Sequence, residues 1–302
     1  MKTLIVGGNG QIGNELADQL FKLGHEIETF GSDELRSSFT QKLIGVDVVF
    51  IAISTKDKGE IALAYILDAL DHGKLVITCE KGALAYHFDM LRPHLSRIGY
   101  SATVGGGSRL LSLLDFPYLG LNHIFGVING TLNYILSKVA EGTDPYVALP
   151  KAQNLGLCEP GASTLEKVYM AERFDTLLKL VILTNLAGVL IETLHISEFQ
   201  LPVVSEKQLV EEITLWPKRY AVSIGKKSMI PNADAVVKKG EWFVEMGLID
   251  TTQTPFTNVP VGRQNTLLID DFGGVTEITG QGAGPQTTAA SMVMDLHKFF
   301  KY

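Results

Sequence analysis

The sequence predicts an α/β protein, a doubly wound parallel sheet with a second α+β domain. Three observations predict it. Over the first 130 residues, short apolar runs alternate with segments of helical periodicity. A glycine-rich turn joins the first run to the first helical segment. After Gly130 the alternation stops; two long helical stretches follow, then short strands separated by turn residues. Strands that alternate with helices build a parallel sheet covered on both faces, so a change of pattern marks a change of domain.

The apolar runs lie at residues 3–6, 26–30, 48–53, 75–78, 101–104 and 124–128. Between them, 11–23 and 60–70 carry apolar residues three and four apart, the spacing of a helix that buries one face. Residues 131–156 and 163–190 read as helices, the second with a stripe including Leu177, Leu180 and Leu183. Strands are predicted at 193–199, 220–224, 234–237, 242–248 and 266–269, and a helix at 206–215. Gly284-Pro285 opens a last helix over about 287–299. The expected domains are 1–129 and 130–284, with the terminal helix, 285–302, returning to the first. A chain of 302 residues, 46% hydrophobic, is long enough for two cores.

A formal net charge of −7 argues against a nucleic-acid backbone as partner. The two cysteines, Cys79 and Cys158, lack metal-ligand spacing, and two thiols in this length point to a reducing compartment. The seven histidines are scattered with no pair at ligand spacing, so no zinc site is expected. The first residues read as a strand rather than a signal peptide. The apolar stretch 177–191 is interrupted by Lys179, Thr184 and Asn185 and is too short to span a bilayer. A cytoplasmic location with no membrane partner is expected.

Gly8-Asn9-Gly10-Gln11-Ile12-Gly13 fits G-x-G-x-x-G between a strand and a helix. The first glycine permits the tight turn, the second lets backbone approach a pyrophosphate, and the third lets helix and strand pack closely. The helix start at Gln11 and Ile12 offers N–H groups to phosphate. This marks the first domain as Rossmann-type and binding a nicotinamide dinucleotide. Ser54 and Thr55 follow the third run, where hydroxyls either line the nicotinamide ribose or cap the next helix. Asp33 stands near the place of an acid that binds the ribose 2′-hydroxyl, and Arg36 is close by. NAD and NADP both remain open.

One stretch is more specific: Gly126-Val127-Ile128-Asn129-Gly130-Thr131-Leu132-Asn133-Tyr134-Ile135-Leu136 packs a strand end, an Asn-Gly turn and a helix start together. It resembles the signature of homoserine dehydrogenases, and further pieces follow in the family's order. Cys79-Glu80-Lys81-Gly82-Ala83-Leu84-Ala85 resembles the family's Asn-Lys-Ala-x-Leu-Ala, with Glu80 in place of Asn. Tyr100-Ser101-Ala102-Thr103-Val104-Gly105-Gly106-Gly107 resembles a loop that holds a monovalent cation through backbone carbonyls, with Ser101 in place of Glu. Ala152-Gln153-Asn154-Leu155-Gly156-Leu157-Cys158-Glu159 resembles Ala-Gln-x-x-Gly-Tyr-x-Glu, with Leu157 for Tyr; Gly161-Ala162 replaces an Asp-Pro. Asp175 and Lys179 match Asp-x-x-x-Lys, a spacing that puts both on one helix face. Gly280-Gln281-Gly282-Ala283-Gly284, with Thr288-Ala289 beyond, resembles the segment that closes over the cofactor.

The resemblance runs from residue 1 to about 298, and is to the short form without an ACT-type domain or fused aspartokinase. It implies interconversion of L-homoserine and L-aspartate 4-semialdehyde by NAD(P), with Lys81 and Lys179 sharing the roles of acid/base and oxygen polariser. It implies that Glu159 and Asp175 bind the substrate ammonium, that Gly130 and Thr131 offer donors, and that Gly282 and Gly284 contact the cofactor. The cation site would fall at Ser101, Val104 and Gly106, and the assembly would be a homodimer. A further substrate-binding Asp of the family has no counterpart; Glu166 and Glu172 are the nearby acids. The departures at Glu80, Ser101, Leu157 and Gly161 leave two rivals: a related oxidoreductase for another amino- or hydroxy-acid, and a catalytically silent nucleotide-binding homologue.

Overall fold

The computed structural model describes residues 1–31, 34–113, 120–158, 163–282 and 284–300. They form two compact units, 1–113 with 284–302, and 114–283.

The first unit is built on a parallel sheet of order β2-β1-β3-β4-β5. Its strands are β1 (Lys2–Val6), β2 (Glu26–Phe30), β3 (Val48–Ile51), β4 (Leu75–Thr78) and β5 (Ile98–Gly99). The four residues of β3, Val-Val-Phe-Ile, are all buried, as a strand covered on both faces requires. Helix α1 (Gln11–Lys22) turns Gly13, Leu16 and Leu20 inward. The last helix of the chain, residues 285–300, packs beside α1 and adds Ala289, Met292, Val293 and Leu296 to the core around Ile5, Phe50 and Ile77. Between the strands lie α2 (Phe39–Lys42), α3 (Glu60–Asp71), α4 (Gly82–Tyr86) and α5 (Phe88–Leu91). Burial pushes the Cys79 thiol, after β4, up to about 12.

The second unit holds an antiparallel sheet of order β11-β10-β6-β7-β9-β8. The strands are β6 (His123–Val127), β7 (Lys218–Gly225), β8 (Ala235–Lys239), β9 (Trp242–Asp250), β10 (Gln264–Asp271) and β11 (Gly274–Gln281). The helices are α6 (Gly130–Ala140), α7 (Pro145–Asn154), α8 (Leu165–Ala187) and α9 (Glu206–Leu215); the terminal helix, Pro285–Phe300, is α10. Helix α6 packs on β7 and β10, and α8 on β9. From Thr176 to Ala187 every residue of α8 is buried, which is why its apolar pattern runs all round.

Three expectations are corrected. The run at 124–128 pairs antiparallel with β7 and β10, so it belongs to the second sheet and not to the parallel one. Residues 101–103 form a 3-10 turn after the two-residue β5, and 196–198 another, in place of strands. Both stretches contain β-formers, but side-chain and turn hydrogen bonds replace the ladder: Thr103 donates to the Tyr100 carbonyl, and Glu198 accepts from the His195 N–H. Strand β11 was missed because it is mostly exposed and carries no apolar alternation.

Helix α8 is fixed by a buried polar cluster. Arg173 is fully buried, with Nε 3.0 Å from Asp234 and Nη1 donating to the Pro202 carbonyl at 2.9 Å. The Tyr220 hydroxyl donates to the same Asp234 oxygen at 3.0 Å. Removing one partner of a buried ion pair leaves the other charge uncompensated, at a cost of about 3–5 kcal/mol. Arg173→Ala is therefore expected to lower the thermal midpoint sharply, measured by calorimetry, whereas Lys207→Ala, a surface partner of Glu211, leaves it within a degree or so.

Candidate active site

In the first unit, the Gly7–Gly13 turn is sterically closed to side chains. A Cβ on Gly13 would lie 2.3 Å from the Gly7 carbonyl oxygen, and one on Gly8 would lie 2.5 Å from Thr29 Cγ2. Gly10 is the N-cap of α1 and offers no side-chain cap, and the first turn carries no acid. A helix start with no side-chain cap leaves its first N–H groups, here those of Gln11, Ile12 and Gly13, open to an anion. The turn fits a dinucleotide pyrophosphate, and Gly8, Gly10, Gln11, Ile12 and Gly13 would hold it.

Ser54 and Thr55 are exposed after β3. Thr55 does not cap the next helix; its hydroxyl donates to Glu80 Oε1 at 2.5 Å. Glu80 is 2% exposed and caps α4, accepting from Gly82 N at 2.6 Å and Ala83 N at 2.8 Å. The residue that departs from the family pattern is thus a structural clasp. It places Lys81, the N-cap of α4, at the carboxyl end of β4, the edge of a parallel sheet where ligands bind.

Ser101 is likewise engaged. Its N–H and hydroxyl donate to the buried Asp295 of α10, at 2.7 and 2.5 Å. Burial pushes the Asp295 carboxyl up, opposed by the Ser101 bonds and Lys298. The Gly106 carbonyl, one of the expected cation ligands, accepts from Ser291 Oγ at 2.8 Å, and Val104 is fully buried. Gly284 opens α10, its carbonyl accepting from Thr287 Oγ1 at 3.1 Å.

In the second unit, the Asn129-Gly130-Thr131 turn and α8 converge. Asn129 caps α6 by accepting from Leu132 N at 2.9 Å. Its amide donates to Glu172 Oε2 at 2.8 Å and Asp175 Oδ2 at 3.2 Å. Lys179 Nζ lies 2.6 Å from that Asp175 oxygen and donates to the Ile128 carbonyl at 3.1 Å. Residues 172, 175 and 179 share one face of α8, so a polar line meets the strand end of β6. Lys179 is 9% exposed: a cation in an apolar helix, stabilised by this cluster. Gly130 is buried in the first turn of α6, and Thr131 Oγ1 donates to the Leu157 carbonyl at 2.7 Å. That bond uses the backbone of Leu157 and not its side chain. Gly282 packs against Asn265, where a Cβ would come within 2.3 Å of the amide carbon.

Sequence reasoning missed Asn129 as the organiser and left Glu166 and Glu172 undecided. The available signal was the N-cap position of Asn129 and the i, i+3, i+7 spacing of Glu172, Asp175 and Lys179. Only Glu172 enters the cluster. Glu159, Gly161 and Asp33 lie outside the described residues.

The profile of the Homoserine dehydrogenase family matches residues 118–297. The chain belongs to the homoserine dehydrogenase family. A homoserine dehydrogenase of Methanocaldococcus jannaschii is 30% identical over 274 residues, covering 87% of this chain and 75% of that protein. An NAD(+)-dependent homoserine dehydrogenase of Pseudomonas canavaninivorans is 26% identical, covering 83% of this chain and 70% of that one. Of three other bacterial homoserine dehydrogenases the chain spans 52 to 60% of the length. Its fold matches a hyperthermophilic archaeal homoserine dehydrogenase solved with NADPH, with TM-score 0.68, 19% identity, and 100% and 99% of the two chains covered. The family is one of NAD(P)-dependent oxidoreductases, which accounts for the glycine turn and the lysine–carboxylate cluster in one chain. Among the described residues, no helix is long and apolar enough to cross a membrane.

Proposed function

We propose that this chain interconverts L-homoserine and L-aspartate 4-semialdehyde. The observation that carries the reading is the Lys179–Asp175–Asn129 cluster at the start of α6. A nicotinamide dinucleotide held at the Gly8–Gly13 turn would supply the hydride acceptor for the carbinol carbon. In the reducing direction the Lys179 ammonium gives a proton to the carbonyl oxygen as its carbon takes up hydride; in the oxidising direction the unprotonated amine takes the hydroxyl proton as the carbonyl forms. Asp175 binds the substrate ammonium by a charge-assisted hydrogen bond, with Glu172 alongside and Glu159 as the family's further contact. Asn129 holds both carboxylates in place. Gly130 and Thr131 supply the helix N-terminus that faces the substrate. Lys81 is the second cation of the reading, placed by Glu80, and polarises the reacting oxygen. Gly282 and Gly284 border the cofactor.

The test is the absorbance of reduced nicotinamide when the chain meets L-homoserine at alkaline pH, with NAD and NADP in parallel and L-malate as comparison. Turnover of homoserine well above malate is the expected result; equal rates would sink the substrate assignment. The reading extends to a homodimer in the cytoplasm. Support for the dimer is β11, an edge strand among the described residues, with Val275 66% exposed on it and Phe272 89% exposed in the turn before it, a surface that proteins ordinarily cover. Light scattering should give twice the 32.9 kDa chain mass.

A further inference from the structure

Rossmann-type folds tell the two nicotinamide dinucleotides apart at the carboxyl end of the second strand. An acid there accepts from the adenosine ribose 2′-hydroxyl, whereas a 2′-phosphate needs an available cation. Here that strand ends at Phe30, and the next residue, Gly31, has no side chain to offer. Among the described residues, Glu34 offers a carboxylate. Glu34 folds back so that its Oε1 accepts from the Gly31 N–H at 3.1 Å, which sets the acid against the strand end. Its side chain is 30% exposed, open to a ligand. The Lys42 ammonium and the Gly31 N–H hold the Glu34 carboxyl below the usual range, so it is ionised at neutral pH.

The cations beside it are already matched. Within residues 34–42 they are Arg36 and Lys42. Lys42 Nζ lies 2.8 Å from Glu34 Oε2 and donates to the Thr29 carbonyl at 3.2 Å. Arg36 pairs with Asp68 of α3, and its guanidinium lies over the Tyr65 ring, 4.2 Å from the centroid, and 5.0 Å from that of Phe39. Among the described residues two carboxylates balance two cations, so they offer a phosphate dianion no net attraction and confront it with Glu34. A neutral ribose hydroxyl meets an acceptor instead.

We propose that this chain selects NAD over NADP, with Glu34 as the selecting residue. The inference rests on the dinucleotide reading of the Gly8–Gly13 turn, and its test separates the two. Dissociation constants of NAD⁺ and NADP⁺ are measured by titration calorimetry on the intact chain, without substrate. NAD⁺ binds at least about tenfold more tightly, a gap of about 1.4 kcal/mol. Glu34→Gln keeps an acceptor for Gly31 N–H but removes the charge, and the gap narrows several-fold, chiefly because NADP⁺ binds better. Asp68→Asn releases Arg36 and moves the ratio the same way. Equal or tighter binding of NADP⁺ by the unmodified chain overturns the proposal and leaves the dinucleotide site standing. A ratio unmoved by Glu34→Gln also overturns it. Failure of both dinucleotides to bind a chain that unfolds cooperatively removes the dinucleotide reading and the proposal together.

Discussion

Lys179→Ala is expected to lower kcat by about 10²–10⁴-fold, the range a positioned acid/base contributes, while dinucleotide affinity stays within twofold. The reason lies in how Lys179 is held. Its ammonium meets Asp175 at 2.6 Å and the Ile128 carbonyl at 3.1 Å, and little of it reaches solvent. The alternative is that Lys179 merely pairs with Asp175 to stabilise α8. Arginine separates the two roles. Lys179→Arg keeps a positive charge beside Asp175, so a structural cation would be rescued. A guanidinium stays protonated under any assay condition and cannot accept a proton, so a proton-exchanging group would not. We expect Lys179→Arg to be as inactive as the alanine variant while recovering most of its melting temperature. Activity within tenfold of the parent for Lys179→Arg would remove Lys179 from the chemistry. Asp175→Asn should instead act mainly on KM for homoserine, because it removes the charge that binds the ammonium while the Ile128 carbonyl still holds Lys179; loss of the ion pair adds a fall in melting temperature.

The parallel sheet was legible chiefly through its inner strands β1, β3 and β4, which are buried on both faces. Apolar runs such as Val48–Ile51 leave no other reading, and the glycine turn fixes where the first one ends. In the second sheet β7, β9 and β10 were legible because they are buried almost throughout, and β8 because its burial alternates. β11 pairs with β10 along its whole length, yet its side chains are largely solvated, so periodicity had nothing to report. The assignment of β6 failed for a different reason. A short apolar run does not reveal its partners, and His123–Val127 finds them at β7 and β10, distant in sequence. At the site, Asp175 and Lys179 were found through the resemblance to the family's Asp-x-x-x-Lys, and Lys179 also stood out as a charge in an apolar helix. Asn129 was not, because its role arises from folding α6 onto α8; in the sequence it is only a cap. The departures Glu80, Ser101 and Leu157 read as signs of altered chemistry. In the fold each is tied into backbone or a neighbouring helix, a structural role that local sequence does not show.

Gly59→Ala should be the most damaging single methyl added to the first unit. Gly59 sits at φ +80°, and a Cβ there would lie 2.2 Å from Ala83 N and 2.3 Å from the Gly82 carbonyl carbon. Both are backbone atoms of the α4 start, which is also clasped by Glu80 and, through it, by Thr55. The methyl cannot be relieved by a rotamer; the segments after β3 and β4 must move apart. Left-handed backbone alone costs a non-glycine residue about 1–2 kcal/mol. Gly73 isolates that part, because it has nearly the same φ, +75°, with nothing within 4 Å of a Cβ. Gly73→Ala is therefore expected to cost about 1–2 kcal/mol and leave turnover unchanged. Gly59→Ala adds the clash and should exceed it by about 2 kcal/mol or more, read from urea midpoints. Because the displaced segment carries Lys81, kcat should fall as well, while the Gly8–Gly13 turn goes on binding dinucleotide. If the two variants prove equally stable and equally active, the junction yields without cost, and Glu80 does not fix Lys81.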